Sequence, residues 1–523
     1  MKPFVLSDIH LQGRKQKIKL VNRLDIFGMP CYYEFSSKDY LNVLFNFSSK
    51  TDLVLVDGML NGDWFSVYES KIVPQRKNPQ LERFRSQGFD VIGEVVLEAK
   101  KRKMQCYLTH RITEVDIYNA AEGYNYPHIK DEHPDWFIMP SWDKYSKTKG
   151  MNNLAVKEIR EHKRRLLGEI LRKYPFDGLD IDFARHTPYL PEGRAWELRE
   201  EVTEFMRILR EETLQIEKET GRAIMLTARV PDCLDGCKMD GLDIWQWCKE
   251  NLIDSLTLGS RSFDVQVEEF REVVGEEIKL FPCYDAHHSV DGYQHPSMET
   301  IRGIFYNWWQ RGADGVEVFN WYANDKDGLK ELLTKYAIPQ TPTGGGFAYY
   351  QTLYNEEMTG LEDCVSLSKT DKTYVIDRRG GYPWGFGYAN LNATRQLPMQ
   401  IEGIGSVRLF VGENIATAKN ANLRLSFAEF DGEAPTVFLN GQELKLTECR
   451  SFNDIRLAAD GSRHNSGFGV AVRFFDNTYQ GKSCTDLYFN LQGAKTVIGY
   501  QEIKIVSKKA LSLEKVELMV EAE

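Results

Sequence analysis

The chain has 523 residues, 42% of them hydrophobic and 27% charged, with a formal net charge of −10. That length is too great for one compact core and suits two or three domains. The acidic balance excludes the basic footprint of a nucleic-acid-binding protein, and the absence of an apolar run of about 18 residues argues against a membrane span.

Aromatic residues make up 12% of the chain, with 25 Tyr, 28 Phe and 10 Trp. Sugar-handling proteins use such rings because the apolar face of a pyranose stacks on them; a large core with a β-domain would produce the same content. The start, Met1-Lys2-Pro3-Phe4-Val5-Leu6-Ser7-Asp8, has no continuous apolar stretch. The sequence as it stands therefore reads as cytoplasmic, or as periplasmic or secreted if a leader has been removed. Its nine cysteines lack zinc-type pairs, since Cys233 and Cys237 stand alone, and they read as free thiols.

In chain order, residues 1–25 read as an N-terminal extension, and a first strand is expected within 20–45, from Leu24–Phe27 or Cys31–Phe35. The next strand candidates are Leu53–Asp57, Cys106–Arg111, Gly178–Phe183 and Ala223–Val230, followed by Ser255–Gly259, Lys279–Asp285 and Gly315–Trp321. Each is short, apolar at its start and polar at its C-terminal end, the pattern of a parallel strand buried on both faces. Amphipathic helices intervene. In Leu154–Tyr174 the stripe is Ile159, Leu166, Leu167, Ile170 and Tyr174; in Trp196–Glu219 it is Leu198, Val202, Phe205, Leu209 and Ile216. This βα alternation predicts an α/β fold, a (β/α)₈ TIM barrel over residues 1–338. No Gly-rich phosphate fingerprint follows any strand, which disfavours a dinucleotide fold.

Residues 339–346, Pro-Gln-Thr-Pro-Thr-Gly-Gly-Gly, read as a linker. Beyond them, residues 347–523 show short strands and turn signals such as Asn440-Gly441, predicting a C-terminal antiparallel β-sandwich that braces the barrel or binds glycan. Residues 112–150 form a long connection rich in aromatic rings and histidine, including Tyr118, Tyr124, His133, Trp136 and Trp142, as expected of a binding loop.

In such barrels the chemistry sits at the C-terminal strand ends. Those ends carry Asp57, His110-Arg111, Asp180 and Asp182 with Arg185-His186, Arg229 with Asp232, Arg261, Tyr284-Asp285, and Glu317 with Asn320-Trp321. Side chains alternate along a strand, so Asp180 and Asp182 share one face and apolar Leu179, Ile181 and Phe183 the other. The two acids then point into the barrel, Asp182 at the mouth and Asp180 one layer below as a salt-bridged support.

Glycoside hydrolysis needs two carboxyl groups, one to protonate the leaving oxygen and one as nucleophile or as base for water. Asp182 leads for the second role. Its partner is open between Glu317 and Asp285, with Asp232 behind them, and the parity of Glu317 depends on which face of its strand turns inward. Asp57, His110, Arg111, Trp136, Asp180, Arg185, His186, Arg229, Tyr284, Asn320 and Trp321 form the expected substrate-binding set. The number of basic groups hints at a uronate or sulfated sugar, because Arg forks match such anions. No cofactor is expected. Asp285-Ala-His287-His288 is a weak metal motif, since adjacent histidines rarely face one ion. Asn355-Glu356, which resembles an acid/base pair, falls off any barrel strand.

The run Tyr174-Pro-Phe-Asp177-Gly178-Leu-Asp180-Ile-Asp182-Phe-Ala-Arg185 resembles the YDVDGIxLDxxR signature of glycosyl-hydrolase-like family 10 and related bacterial (β/α)₈-barrel glycosidases. His133-Pro-Asp-Trp136, Arg229-Val-Pro231, Asp243-Ile-Trp245 with Leu252-Ile-Asp254, and Gly312-Ala-Asp-Gly315 with Phe319-Asn320 are similar to further motifs, in order. The resemblance covers roughly residues 50–520 and implies a glycosidase-like barrel centred on Asp182. Ile181, Phe183 and Glu317 depart from the pattern, which leaves the proton donor unassigned. The reading is thus an O-glycosidase acting on a poly- or oligosaccharide, with a non-catalytic glycan-binding barrel or a polysaccharide lyase as alternatives. The sequence leaves the oligomeric state unknown.

Overall fold

Eight short strands, apolar on the face that meets the helices, close on themselves as β1 Leu20–Leu24, β2 Leu53–Asp57, β3 Gln105–Arg111, β4 Gly178–Asp182, β5 Met225–Val230, β6 Ser255–Leu258, β7 Lys279–Tyr284 and β8 Val316–Phe319. The computed structural model describes residues 2–26, 34–47, 49–58, 63–113, 127–141, 150–185, 187–259, 262–284, 297–319, 326–337, 360–376, 396–428, 430, 432–452 and 484–523. All eight barrel pairings are parallel, and β8 closes the ring against β1. This is a TIM barrel. The first strand lies at Leu20–Leu24, within the expected 20–45 window but sharing only Leu24 with the first expected segment, and inside the stretch read as an extension. Polar Asn22 and Arg23 at its centre hid it, because a run so interrupted does not read as a buried strand.

Leu179 and Ile181 of β4, with Leu108 of β3 and Leu226 and Ala228 of β5, turn outward into the helix layer. Helix α2 (Lys157–Lys173) buries Ile159, Leu166, Leu167 and Ile170 there, and α3 (Arg199–Thr220) buries Val202, Phe205, Leu209 and Ile216. Inside the barrel the lowest layer is apolar: Val21, Leu53, Leu55, Tyr107, Met225 and Phe281. Gly178 opens β4 because a Cβ there would meet the Tyr107 ring at 2.7 Å.

A short helix, Asp8–Arg14, sits at the N-terminal end of the barrel. Its His10 lies between Glu217 and Asp254, 3.0 Å from each, while Arg210 holds the other Asp254 oxygen at 3.0 Å. The Leu226 amide also donates to Asp254, at 2.6 Å. The start of the chain is therefore fastened to α3 and to β5.

The C-terminal part is an antiparallel β domain. One sheet runs β9 (Lys372–Val375), β18 (Leu511–Glu521), β12 (Asn420–Ala428), β16 (Cys484–Asn490) and β15 (Leu446–Phe452), with β10 (Met399–Ile401) also on β18. The other runs β11 (Ile404–Val411), β17 (Gly499–Val506), β13 (Thr436–Leu439) and β14 (Gln442–Glu443). The Asn440-Gly441 turn joins β13 to β14 with φ of 48° and 82°, the double positive φ that a two-residue hairpin of this kind requires. The proposed linker, 339–346, lies outside the described residues.

Helix Met298–Gln310 joins barrel and β domain. Trp309 Nε1 donates to the Leu361 carbonyl at 3.0 Å and Asn307 Nδ2 to the Phe410 carbonyl at 2.9 Å. Arg311, just beyond, donates to the Tyr500 hydroxyl at 3.1 Å and lies 4.7 Å from the Phe410 ring centre. Gly303 presses directly on the Thr373 carbonyl, so an added Cβ would clash with backbone that cannot yield cheaply. Gly303→Ala should cost about 1–3 kcal/mol by overpacking. Hydrogen exchange should show the loss as faster exchange in β9; unchanged exchange there would show that this contact does not fasten the domains.

Candidate active site

The register places three strands side by side with matched patterns. Thr109, Asp180 and Thr227 are cross-strand neighbours, and one layer higher Arg111, Asp182 and Arg229 are neighbours. Each acid of β4 is thus flanked on both sides by the same residue type, Asp180 by hydroxyls and Asp182 by guanidiniums.

Asp180 accepts from Thr109 Oγ1 at 2.6 Å, Thr227 Oγ1 at 3.0 Å and Arg23 Nη1 at 2.8 Å. It is fully buried, the salt-bridged support that its parity implied. Arg23, absent from the sequence-derived set, is the hub of this layer. Besides Asp180, it donates from Nε to Glu317 Oε1 at 2.7 Å, and its Nη1 lies 3.8 Å from Asp182 Oδ2. Burial alone would lower its pKa, but Asp180, Glu317 and Asp182 together raise it well above the ordinary arginine value.

Glu317 faces inward, with Phe319 above it and Val316 and Val318 against the helices. Its oxygens also receive Thr257 Oγ1 at 2.7 Å and Cys283 Sγ at 3.3 Å. With no exposed surface and donors on both oxygens, it braces Arg23 in the layer of Asp180 rather than reaching the mouth.

Asp182 is 1% exposed. Its Oδ1 accepts from the Ala184 amide at 3.1 Å and its Oδ2 from Arg229 Nη1 at 3.3 Å. Burial pushes its carboxyl up, but the guanidiniums of Arg229, Arg23, Arg111 and Arg185 outweigh burial and hold it below the ordinary range. Asp182 is therefore a carboxylate, fit to be a nucleophile or base and unfit to donate a proton. Arg229 Nε also donates to the Gly259 carbonyl at 3.1 Å, which fixes its fork toward Asp182.

Arg111 is shared by Asp57, at 3.6 Å, and Asp25. Asp25, just past β1, has a side chain 21% exposed, against 6% for Asp57 and 1% for Asp182. It was missed with its strand, although the polar residue after Leu24 is the same strand-end signal that marked the others. Arg185 lies 5.8 Å from the centre of the Phe319 ring.

Other expected residues go elsewhere. His110 turns into the helix layer, with Nε2 at 3.2 Å from Asp63 and 3.1 Å from Lys163 Nζ. Strand parity sends it there, opposite to Arg111. Tyr284 likewise leaves the lumen, stacking on Phe263 at 6.0 Å and meeting Phe305 edge-on. Trp136, in the connection after β3, stacks on His133 at 4.1 Å and packs against the core. Asp232 is buried beyond β5. His186, Arg261, Asp285, Asn320 and Trp321 lie outside the described residues, as do His287 and His288. Among the described residues, no group of three or more His, Cys, Asp and Glu side chains could hold a metal ion, and no helix is long and apolar enough to cross a membrane.

Of the four arginines counted from the sequence, Arg111 and Arg229 are ion-paired, Arg185 acts on Asp182 electrostatically, and Arg261 lies outside the described residues. Arg23, Arg111 and Arg229 are ion-paired with five acids, Asp25, Asp57, Asp180, Asp182 and Glu317.

No family model matches the chain, and no curated protein matches it. Solved structures do. It is similar to α-L-fucosidase isoenzyme 2 from Paenibacillus thiaminolyticus, at 14% identity over 62% of this chain and a TM-score of 0.41. The match spans 49% of that fucosidase. It is also similar to the glycoside hydrolase domain of PgaB from Bordetella bronchiseptica, at 11% identity over 62% of this chain and 98% of that one, TM-score 0.38. An Anoxybacillus α-amylase matches at 11% identity over 97% of this chain and 98% of that one, TM-score 0.37. Likeness this distant carries no argument about chemistry, and the assignment of the barrel rests on its own strand pairing.

Proposed function

We propose that the barrel is a glycoside hydrolase acting on a poly- or oligosaccharide, with Asp182 as the carboxylate that attacks the anomeric carbon or activates water. The observation that carries this reading is a buried Asp182 at the C-terminal end of β4, where barrels of this kind do their chemistry, beside Arg229 and near Arg23, which hold its carboxyl below the ordinary range. The resemblance to glycosyl-hydrolase-like family 10 points to the same residue.

The second carboxyl is Asp25 or Asp285, the latter outside the described residues; Asp25 reaches the reaction in its acid form only if it leaves its pairing with Arg111. Asp25 is the most exposed of the five lumen carboxyls named above, and Arg111 ties it to the strand beside Asp182. In the reaction the glycosidic C–O bond breaks and the leaving oxygen takes its proton from the second carboxyl in its acid form. The anomeric carbon bonds either to water that Asp182 deprotonates, or to Asp182 itself, from which water deprotonated by the second carboxyl then releases the sugar. The ion pairing of Arg23, Arg111 and Arg229, among the described residues, supports a neutral glycan over a uronate or sulfated one.

A second reading has its own support. Asp180, Asp182 and Glu317 are all ion-paired and almost fully buried, as they would be in a glycan-binding barrel that performs no chemistry. A screen of neutral, uronate-bearing and sulfated glycans separates the two. Hydrolysis predicts new reducing ends that disappear in Asp182→Asn and in one of Asp25→Asn and Asp285→Asn. Binding without turnover in the wild type would establish the second reading, and undiminished turnover in Asp182→Asn would remove Asp182 from the mechanism.

A further inference from the structure

The connection that leaves β4 beyond Asp182 lines a concavity with the connection after β5, at the C-terminal end of the barrel strands. Tyr189, Leu190, Pro191 and Glu192 stand on one wall, and Met239 and Asp240, beyond β5, on the other, around a cavity of about 260 Å³. The walls meet at Gly241, where a Cβ would lie 2.6 Å from the Ala195 carbonyl and φ is +78°. The volume is a little below the ~300 Å³ at which pockets begin to take drug-sized ligands, which suits a single sugar ring.

The lining is chemically one-sided. Among the described residues it contains Glu192 and Asp240 and no Lys, Arg or His, alongside apolar Pro188, Leu190, Pro191 and Met239. Glu192 is held from behind by the Ser141 amide and hydroxyl, each at 3.1 Å. The Tyr189 hydroxyl is buried with no hydrogen-bond partner among the described residues. Burial, with Asp240 and Cys237 nearby, keeps its proton on well above the ordinary tyrosine range. Trp196, next in the chain to Ala195, is 42% exposed, and Met239 is 56% exposed. Carboxylates to accept from ring hydroxyls, a phenol and apolar faces are the requirements for holding an uncharged pyranose, while an anion would be repelled.

We infer that this cavity is a subsite for one neutral sugar unit of the glycan whose cleavage is proposed at Asp182. The inference rests on that reading for its place in the reaction. Binding at the cavity is testable apart from it.

Asp182→Asn protein, in which turnover does not interfere, is titrated with glucose, galactose, mannose and fucose, and with glucuronate and galacturonate, followed by saturation-transfer NMR. At least one neutral hexose should bind, and the uronates at least tenfold more weakly. Gly241→Ala, which forces the walls apart, and Met239→Trp, an exposed change that fills the opening without touching the core, should each weaken the neutral sugar at least tenfold. Equal binding of uronate and hexose, hexose affinity unchanged in Met239→Trp, or no binding by any probe would overturn the subsite. Hexose binding that is lost in Met239→Trp, in a protein whose wild type hydrolyses nothing, would keep the sugar site while refuting the hydrolase.

Discussion

Arg23→Met should destabilise the protein by about 3–5 kcal/mol, the cost of removing one partner from a buried ion pair. Arg23 is 2% exposed and meets three carboxylates: Asp180 at 2.8 Å, Glu317 at 2.7 Å and Asp182 at 3.8 Å. Methionine fills similar space but leaves those acids facing one another in the barrel interior. A loss of this size is a large part of the 5–15 kcal/mol that holds a typical domain folded. Urea unfolding followed by tryptophan fluorescence measures it. Arg23→Lys keeps the charge but not the fork that engages Glu317 and Asp180 together, so it should fall between wild type and Arg23→Met. If Arg23→Met unfolds with the wild-type midpoint, the hub role assigned to Arg23 is wrong.

Asp182→Asn should lower kcat/KM by roughly 10²–10⁴-fold or more, the range for a positioned acid–base group. Circular dichroism should stay native, since the amide is nearly isosteric and its single oxygen still accepts from one of the two donors, Arg229 or the Ala184 amide, that bond to different oxygens of Asp182. The acid side of the pH profile tests the electrostatics. Asp182 is held below its ordinary range, so activity that needs its carboxylate should persist as pH falls past ~3.9, the ordinary Asp value. The same depression stabilises the fold. That contribution is fully present above the unfolded pKa and is lost as pH falls through the lower folded value. Asp182→Asn should therefore narrow the stability gap to wild type at the acid end. An activity limb near pH 6, unchanged in Asp25→Asn, would assign the essential ionisation to a group other than these two acids.

Much of the barrel was legible because strands buried on both faces read as short apolar runs wherever only their lumen-facing ends are polar. Seven of the expected segments hold barrel strands, each within about two residues of the expected bounds. The eighth was hidden by its own function. Arg23 sits in mid-strand because the barrel interior needs a cation there, and a charge in mid-strand breaks the pattern by which strands are recognised. Losing β1 also concealed Asp25, one residue past its end. His110 and Tyr284 were misdirected because position at a strand end was counted without parity, and one residue along a strand turns a side chain from lumen to helix layer.

By itself the sequence determined the alternation of strands and helices, the change to β structure in the C-terminal part, the Asn440-Gly441 hairpin, and the placement of Asp180 and Asp182 on one face of their strand. These are local consequences of periodicity and turn chemistry. Only the tertiary structure decided what surrounds each acid. Register set two threonines beside Asp180 and two arginines beside Asp182, closure of β8 onto β1 brought Arg23 to Glu317, and together these made one acid a braced support and the other a carboxylate at the mouth. The charge of a buried group depends on neighbours across strands dozens to hundreds of residues away in sequence, and the closed sheet alone fixes them.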